Sequence, residues 1–218
     1  MCYTFYVLHK KRIPLLLAII ATFIYGLLGS LVSLNRYWQY ETFYFDFGIF
    51  DKAIWSVSRF MPPIIDHYAL GERIIFSDHF SPSIFLLSPF FWVFPWSETL
   101  LVIQAVAAAL SGLVLFLIGQ KLLKNPWYAL GITLIYFLFV GLQNAVITDF
   151  HEVTVATLVF MLTIYAFVRR DKRMFYLFLI ILLGFKESLF LLGIGISVAV
   201  FLLEPKWRRT AGITFLIS

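Results

Sequence analysis

The residues best suited to chemistry in this 218-residue chain are concentrated in one polar stretch, residues 35–82. This stretch carries ten charged residues, six of them acidic, together with His67 and His79. Asp46 is the leading candidate within it, because a carboxylate beside a membrane-surface helix can act as general base toward a hydroxyl. The alternative role is a helix N-cap, and the two roles are compatible.

Three further residues of the same stretch are candidates of lower rank. Asp51 lies about one helical turn after Asp46 and can bind substrate or belong to a solvated helix face. Asp78 and His79 mark the return of the chain to the membrane, where a histidine can orient a base or bind phosphate. The alternative is a turn closed by a side-chain bond to the backbone. We count His79 as catalytic, and Asp51 and Asp78 as substrate-binding.

A second cluster, Asp149, His151 and Glu152, lies in a turn between strongly apolar runs. A hydrated turn that caps the next helix accounts for one acidic residue. Three ionisable groups within four positions exceed what a cap requires. We therefore expect His151 and Glu152 to be catalytic and Asp149 to bind substrate.

The pair Lys186–Glu187 stands in the middle of the apolar run 174–203. Charged residues at that depth are costly, so they are functional candidates by default. We expect Lys186 to bind an anionic phosphate and Glu187 to hold the lysine in place; a buried salt bridge or an interfacial turn is the alternative. No metal-ligand spacing is present, although Asp46 and the two histidines His79 and His151 could hold a divalent cation, which the chemistry does not require.

The composition assigns the chain to the membrane. It is 61% hydrophobic and only 13% charged, with a mean hydropathy of +0.91. A soluble domain has about a quarter of its residues charged, and a globule of this length could not bury so much apolar surface. The basic residues stand in short clusters between apolar runs, which is typical of cytoplasmic membrane loops and excludes a nucleic-acid partner. The expected partner is the lipid bilayer.

The apolar runs predict an all-α, polytopic transmembrane bundle in a single domain, residues 1–218. The long loop 35–82 contains an amphipathic interfacial helix at 47–60, with Asp46 as its N-cap and an apolar stripe formed by Phe47, Phe50, Ile54 and Val57. Ser97 is a plausible N-cap of a later span. Membrane helices are predicted at 13–34, 100–120, 126–147 and 153–168, and 174–203 divides into two short helices at Lys186–Glu187.

Lysine and arginine counts decide the orientation of the chain. If residues 80–96 form a juxtamembrane or re-entrant element, the clusters at 10–12, 121–124, 169–173 and 206–209 all face the cytoplasm. These clusters hold 12 of the 17 basic residues, and ten of the 12 acidic residues then face outward. We expect a multi-pass plasma-membrane protein with a cytoplasmic N-terminus and an extracytoplasmic active face. The chain stops within an apolar run, so we expect it to be the N-terminal part of a longer protein.

Several of these segments occur in one order typical of a known family. Phe45-Asp46-Phe47-Gly48-Ile49-Phe50, then Trp55, His79-Phe80-Ser81-Pro82, Phe150-His151-Glu152 and Lys186-Glu187 resemble the bacterial and archaeal membrane proteins called domain of unknown function 2079. That family is similar to the GT-C superfamily of polytopic glycosyltransferases, which carry an acidic residue in the first outward loop and use polyprenyl-phosphate sugars. The likeness implies that Asp46 is the catalytic carboxylate, with His79, His151, Lys186 and Glu187 around the donor phosphate. The chain has fewer spans than most GT-C enzymes and shows no soluble C-terminal domain.

The resulting hypothesis is an inverting membrane glycosyltransferase that moves a sugar from a polyprenyl-phosphate donor to an acceptor hydroxyl. No glycine-rich phosphate loop is present, in keeping with a lipid-linked donor. A transporter and a non-catalytic scaffold or flippase partner are the alternatives. A transporter would need polar residues in mid-span, whereas the ionisable groups here gather at one surface. Donor sugar, acceptor, cofactor and oligomeric state are left open.

Overall fold

The computed structural model describes residues 2–65 and 73–218, and their side chains apart from those of residues 2–11 and Tyr44. His67 therefore lies outside the described residues. A 3₁₀ helix, Pro82–Trp92, precedes the third α-helix. The α-helices of the described part are, in chain order, α1 (Cys2–Trp38), α2 (Tyr44–Ser58), α3 (Glu98–Leu123), α4 (Pro126–Leu138), α5 (Val140–Ile147), α6 (Glu152–Val168), α7 (Lys172–Leu183), α8 (Leu189–Leu203) and α9 (Arg208–Ile217).

Two helical segments of the described part are long and apolar enough to cross a membrane, Arg12–Trp38 of α1 and Glu98–Leu123, which is α3. The bent pair α4 and α5 makes a third if the two are one span. The α1 segment leaves large side chains such as Phe23 and Leu28 exposed, which suits a helix facing lipid tails. The protein is thus an all-α membrane protein, as the apolar runs predict.

Helix α3 lies at the centre and packs against α1, α4 and α6. Small residues let α1 approach α3 closely: a Cβ on Gly26 would lie 3.2 Å from that of Ala109, and one on Gly29 3.5 Å from that of Ala105. Lipid tails are as apolar as leucine, so helices in a bilayer associate through such close packing rather than through the hydrophobic effect.

The predicted single span 126–147 is wrong in one respect, because it is broken at Phe139. Helices α4 and α5 meet there at 53°. Phe139 is extended, with φ −67° and ψ 114°, and the Gln143 side chain donates 2.9 Å to the Phe137 carbonyl that the break leaves without a helical partner. The start of α4 is as predicted, since the Asn125 side chain accepts from the backbone N–H of Trp127.

Division of the run 174–203 into two short helices is confirmed. Helix α7 ends at Leu183 and α8 begins at Leu189, with Lys186 in the turn between them. The ambiguous segment 80–96 forms the 11-residue 3₁₀ helix, too short to join the candidate spans. Its Ser83 donates its backbone N–H to Gly184 and its hydroxyl to Ile181, so it is fastened to the end of α7.

Helix α2 exists but differs from the prediction in two ways. It begins at Tyr44, with Phe43 as N-cap, so Asp46 lies inside the first turn rather than before it. Its stripe residues Phe47, Phe50 and Ile54 are buried in the protein core, against the 3₁₀ helix among other elements. The apolar face of α2 therefore packs on protein instead of resting on lipid.

A short antiparallel hairpin is the one departure from an all-α chain in the described residues. Ile64 pairs with Ile74 and Ile65 with Arg73, which makes two strands, β1 (Ile64–Ile65) and β2 (Arg73–Ile74). Two residues per strand give no hydrophobic periodicity long enough to detect in the sequence.

The two ends of the bundle differ in charge. At the acidic end, α1 and α7 finish and α3, α6 and α8 begin; the Trp38 indole donates there to Glu98 at 3.3 Å. At the basic end, Arg170 pairs with Glu204, and the Lys172 ammonium lies 5.3 Å from the Trp207 ring centroid. The charge segregation inferred from the sequence thus corresponds to two opposite ends of the helices.

Candidate functional site

Asp46 and His151 meet at the acidic end. The Asp46 Oδ2 atom lies 3.8 Å from His151 Nε2, and their side chains are 41% and 35% exposed. Asp46 is placed by the first turn of α2, and His151 is the N-cap of α6. A separation of 3.8 Å exceeds a hydrogen bond, and a hydroxyl group or water lying to one side of the two atoms can hydrogen-bond to both.

A buried glutamine holds the turn that carries His151. Gln104, in α3, accepts the backbone N–H of His151 at 2.7 Å and donates to the carbonyl of Asp149 at 3.1 Å. The same amide also reaches the carbonyls of Ala145 and Val146, where α5 ends. These bonds satisfy backbone groups that a helix end would otherwise bury without partners.

Asp149 links the turn to the long loop rather than lining an open site. Its carboxylate is buried, and Oδ1 accepts the backbone N–H of Phe43 at 2.8 Å. A carboxylate at the N-terminus of α2 also suits the helix dipole. Asp149 thus fixes the entry of α2 beside His151, and Asp149 O also bonds His151 Nδ1 at 3.1 Å. With that nitrogen engaged, Nε2 is the one left to face Asp46.

Glu152 and Lys186 form a second pair next to the first. Lys186 Nζ lies 2.9 Å from Glu152 Oε1; the carboxylate is fully buried and the lysine side chain is 27% exposed. The angles are not those of a hydrogen bond, so the attraction is that of an ion pair, and Oε2 has no hydrogen-bond partner among the described residues. The expectation that Glu187 holds Lys186 is therefore wrong. Glu152 approaches the lysine, and Glu187 is exposed.

Asp78 and His79 form a pair of their own. His79 Nε2 lies 3.2 Å from Asp78 Oδ2. Between this pair and the His151 turn stands Phe50, whose ring centroid is 5.3 Å from that of His79 and 5.7 Å from that of Phe150. His79 therefore lies on the same side of α2 as the turn but is separated from it by aromatic rings.

The metal site suggested from Asp46, His79 and His151 is not assembled. Among the side chains that the structure describes, in residues 12–65 and 73–218, no three histidine or acidic groups come close enough together to hold an ion. His79 packs instead against the Phe50 ring, which also contacts Phe150 next to His151.

Asp51 faces away from this cluster. It borders two adjoining cavities of about 560 and 610 Å³, which share Tyr37, Gly48, Asp51 and Ser97. Ser97 donates its hydroxyl to Asp51 Oδ2 at 2.7 Å. It stands at the N-cap position of α3 as predicted, but its side chain makes no capping hydrogen bond. Asp51 Oδ1 is buried without a partner among the described residues. Burial raises the pKa of the Asp51 carboxyl; the Ser97 bond opposes this and nearby Glu98 adds to it.

Sequence reasoning missed Gln104 and Glu98. A signal for Gln104 was present, since it is the one strongly polar side chain in the first two-thirds of the predicted span 100–120. An amide in an apolar helix requires hydrogen-bond partners, which makes it a marker of a nearby irregular backbone. Glu98 gave no signal beyond a favourable charge at a helix start.

A family model described as Predicted membrane protein (DUF2079) matches residues 36–218. The chain belongs to this family. The DUF2079 match takes in the Asp46–His151 and Glu152–Lys186 pairs, the turn that Gln104 holds and the Asp51 cavities. No curated protein and no solved structure matches the chain.

Proposed function

We propose that this protein is an integral membrane glycosyltransferase of GT-C type that uses a polyprenyl-phosphate sugar. One observation carries the proposal: the contact of His151 with Asp46 and the ion pair of Glu152 with Lys186 bring a carboxylate and an ammonium from distant segments to one end of the bundle. Asp46 comes from α2 and Lys186 from the turn before α8. A base and a phosphate-binding cation are the two groups that such a transfer requires.

In the proposed step, the acceptor oxygen bonds to the anomeric carbon from the face opposite the phosphate, which inverts that carbon. The bond from this carbon to the phosphate oxygen breaks, and its electron pair leaves with polyprenyl phosphate. The acceptor proton passes to Asp46. His151 then carries it toward solvent, because Nε2 faces the carboxylate and both side chains are partly exposed.

Lys186 is the group that stabilises the leaving phosphate. It is partly exposed, so its ammonium can reach a ligand while Glu152 keeps it in place from the buried side. A fixed cation near developing negative charge lowers the barrier without reorganising solvent. In this assignment Glu152 positions Lys186, whereas Asp46 and His151 contact the acceptor.

The orientation proposed for the enzyme follows from charge. The basic end, with Lys121, Lys124 and Arg169, faces the cytoplasm of the plasma membrane, and the acidic end faces outward. The polyprenyl chain of the donor then lies in the bilayer, and its phosphate reaches the acidic end at headgroup depth. Helices α1, α3 and the bent pair form the polytopic bundle.

The test uses protein reconstituted with radiolabelled polyprenyl-phosphate sugars and measures release of polyprenyl phosphate. We expect Asp46→Asn to lower turnover about 100-fold or more, as loss of a general base does. Glu41→Gln is the matched control, since Glu41 lies in the same loop in an exposed 3.7 Å pair with Arg36, and such pairs contribute little. An Asp46→Asn variant that turns over like the wild type would refute the assignment.

A transporter is the second candidate, because α4 and α5 form a broken helix bent by 53°. Discontinuous helices in transporters expose backbone groups to a substrate path. The freed carbonyl of Phe137 is instead bound by Gln143, which favours the enzyme. Liposomes separate the two: transport predicts solute flux that Gln143→Leu changes, while the enzyme predicts sugar transfer with no flux.

A further inference from the structure

An apolar groove adjoins the Asp51 cavities. It has a volume of about 630 Å³ and is formed by the 3₁₀ helix, α3, α6 and α7. Trp96 and Glu98 border both the groove and the larger Asp51 cavity. Apart from Glu98 and Thr99, the groove is lined by apolar side chains. An apolar groove and a polar cavity with an aromatic rim therefore lie side by side and share two lining residues.

The charges of the polar cavity favour one kind of ligand. Its lining carries two carboxylates, Asp51 and Glu98, and one ammonium, Lys52. Asp51 Oδ1 is buried and accepts no hydrogen bond from any described residue, which is costly for a carboxylate unless a donor is bound. A ligand that supplies a hydrogen-bonding cation to Asp51 and an anion to Lys52 complements this arrangement.

We propose that the groove and the Asp51 cavities form one site for a phospholipid with a primary ammonium head group, such as phosphatidylethanolamine. One acyl chain lies in the groove below Trp96. The phosphodiester approaches Lys52, and the ammonium donates to Glu98 and, once the Asp51 side chain turns its buried Oδ1 toward the cavity, to that atom. This site is separate from Asp46 and does not depend on the proposed transfer reaction.

Head-group chemistry distinguishes the alternatives. Phosphatidylcholine carries the same charges but has no N–H to donate, so it leaves Asp51 Oδ1 without a partner. Phosphatidylglycerol brings no cation and sets its phosphate against two carboxylates. The aromatic rings of Tyr37, Trp55 and Trp96 suit headgroup depth, where tryptophan and tyrosine are enriched.

The experiment adds phosphatidylethanolamine, phosphatidylcholine or phosphatidylglycerol with identical acyl chains to delipidated protein in detergent. Native mass spectrometry gives the affinity, and thermal unfolding gives the stabilisation. We expect phosphatidylethanolamine to bind about tenfold or more tightly than the other two, the value of one charge-assisted hydrogen bond. Asp51→Asn should abolish this preference, and Lys52→Gln should weaken the binding of all three lipids. Glu41→Gln is the control, because Glu41 lines neither Asp51 cavity, and it should keep the preference.

A groove variant separates the tail from the head group. Val106 lies on α3, borders the groove and is 42% exposed, so Val106→Trp can fill the groove without disturbing the core. We expect this variant to weaken the binding of all three lipids and to leave the order of their affinities unchanged. Equal affinity of the wild type for the three lipids, or an unchanged preference in Asp51→Asn, would overturn the proposal.

Discussion

The two faces of α2 treat their carboxylates differently. On one face Asp46 is open and lies 3.8 Å from an imidazole, and it stands beside a turn whose buried polar groups are satisfied by Gln104. On the other face Asp51 is half-buried, with one oxygen bonded to Ser97 and the other bonded to nothing described. The first arrangement suits proton transfer, and the second suits the capture of a cation. Position on a helix thus divides two similar residues between two roles.

Removing Lys186 should leave Glu152, like Asp51, with a buried carboxylate oxygen that has no partner among the described residues. Lys186→Met leaves Glu152 as a buried carboxylate with no counter-charge, which costs about 3–5 kcal/mol of unfolding free energy. Chemical denaturation in one detergent measures it. The double variant with Glu152→Gln should recover most of the loss, because no buried charge then remains. Equal losses in the single and double variants would contradict the ion-pair account.

Removing Gln104 should disorganise the His151 turn while sparing Asp51. Gln104→Leu removes the acceptor of the His151 N–H and one of the two donors to the Asp149 carbonyl, which we expect to cost about 2–3 kcal/mol. The matched control is Gln120→Leu near the other end of α3, where the side chain is half-buried. If both variants lose the same unfolding free energy in one denaturation series, the hydrogen bonds of Gln104 do not stabilise the turn as described.

Much of this contrast could be predicted from sequence, and the reasons for the remainder are physical. The 3.6-residue period of Phe47, Phe50 and Ile54 was enough to find α2. It could not show that the stripe packs on the 3₁₀ helix, because lipid and protein core are equally apolar partners. The cost of charge within an apolar run located the turn at Lys186, but the choice between Glu152 and Glu187 depends on tertiary contact.

The break at Phe139 escaped prediction for a related reason. Residues 126–147 contain no proline after Pro126, so no local signal ends the helix. The break is compensated by Gln143, whose role is visible only once the freed carbonyl is known.

Neutralising Asp51 should have the smallest effect on stability of the three changes, and it should stabilise the protein rather than destabilise it. Burial raises the pKa of this carboxyl above its ordinary 3.8, so the folded protein binds the proton more tightly than the unfolded chain. Stability therefore falls as pH rises from about 3.8 through the raised pKa. In lipid-free detergent at pH 7, Asp51→Asn should raise the melting temperature. We expect the matching gain in unfolding free energy to be no more than about 1 kcal/mol and to be smaller at pH 4. A gain independent of pH would contradict this.

The most direct test of the central claim compares the two aspartates in one reaction. Single turnover of a polyprenyl-phosphate sugar is measured for Asp46→Asn and Asp51→Asn in identical proteoliposomes. We predict that the Asp46 variant loses about 100-fold or more in rate and the Asp51 variant less than about tenfold. Equal losses, or a larger loss at Asp51, would contradict the assignment of the base to the open face of α2.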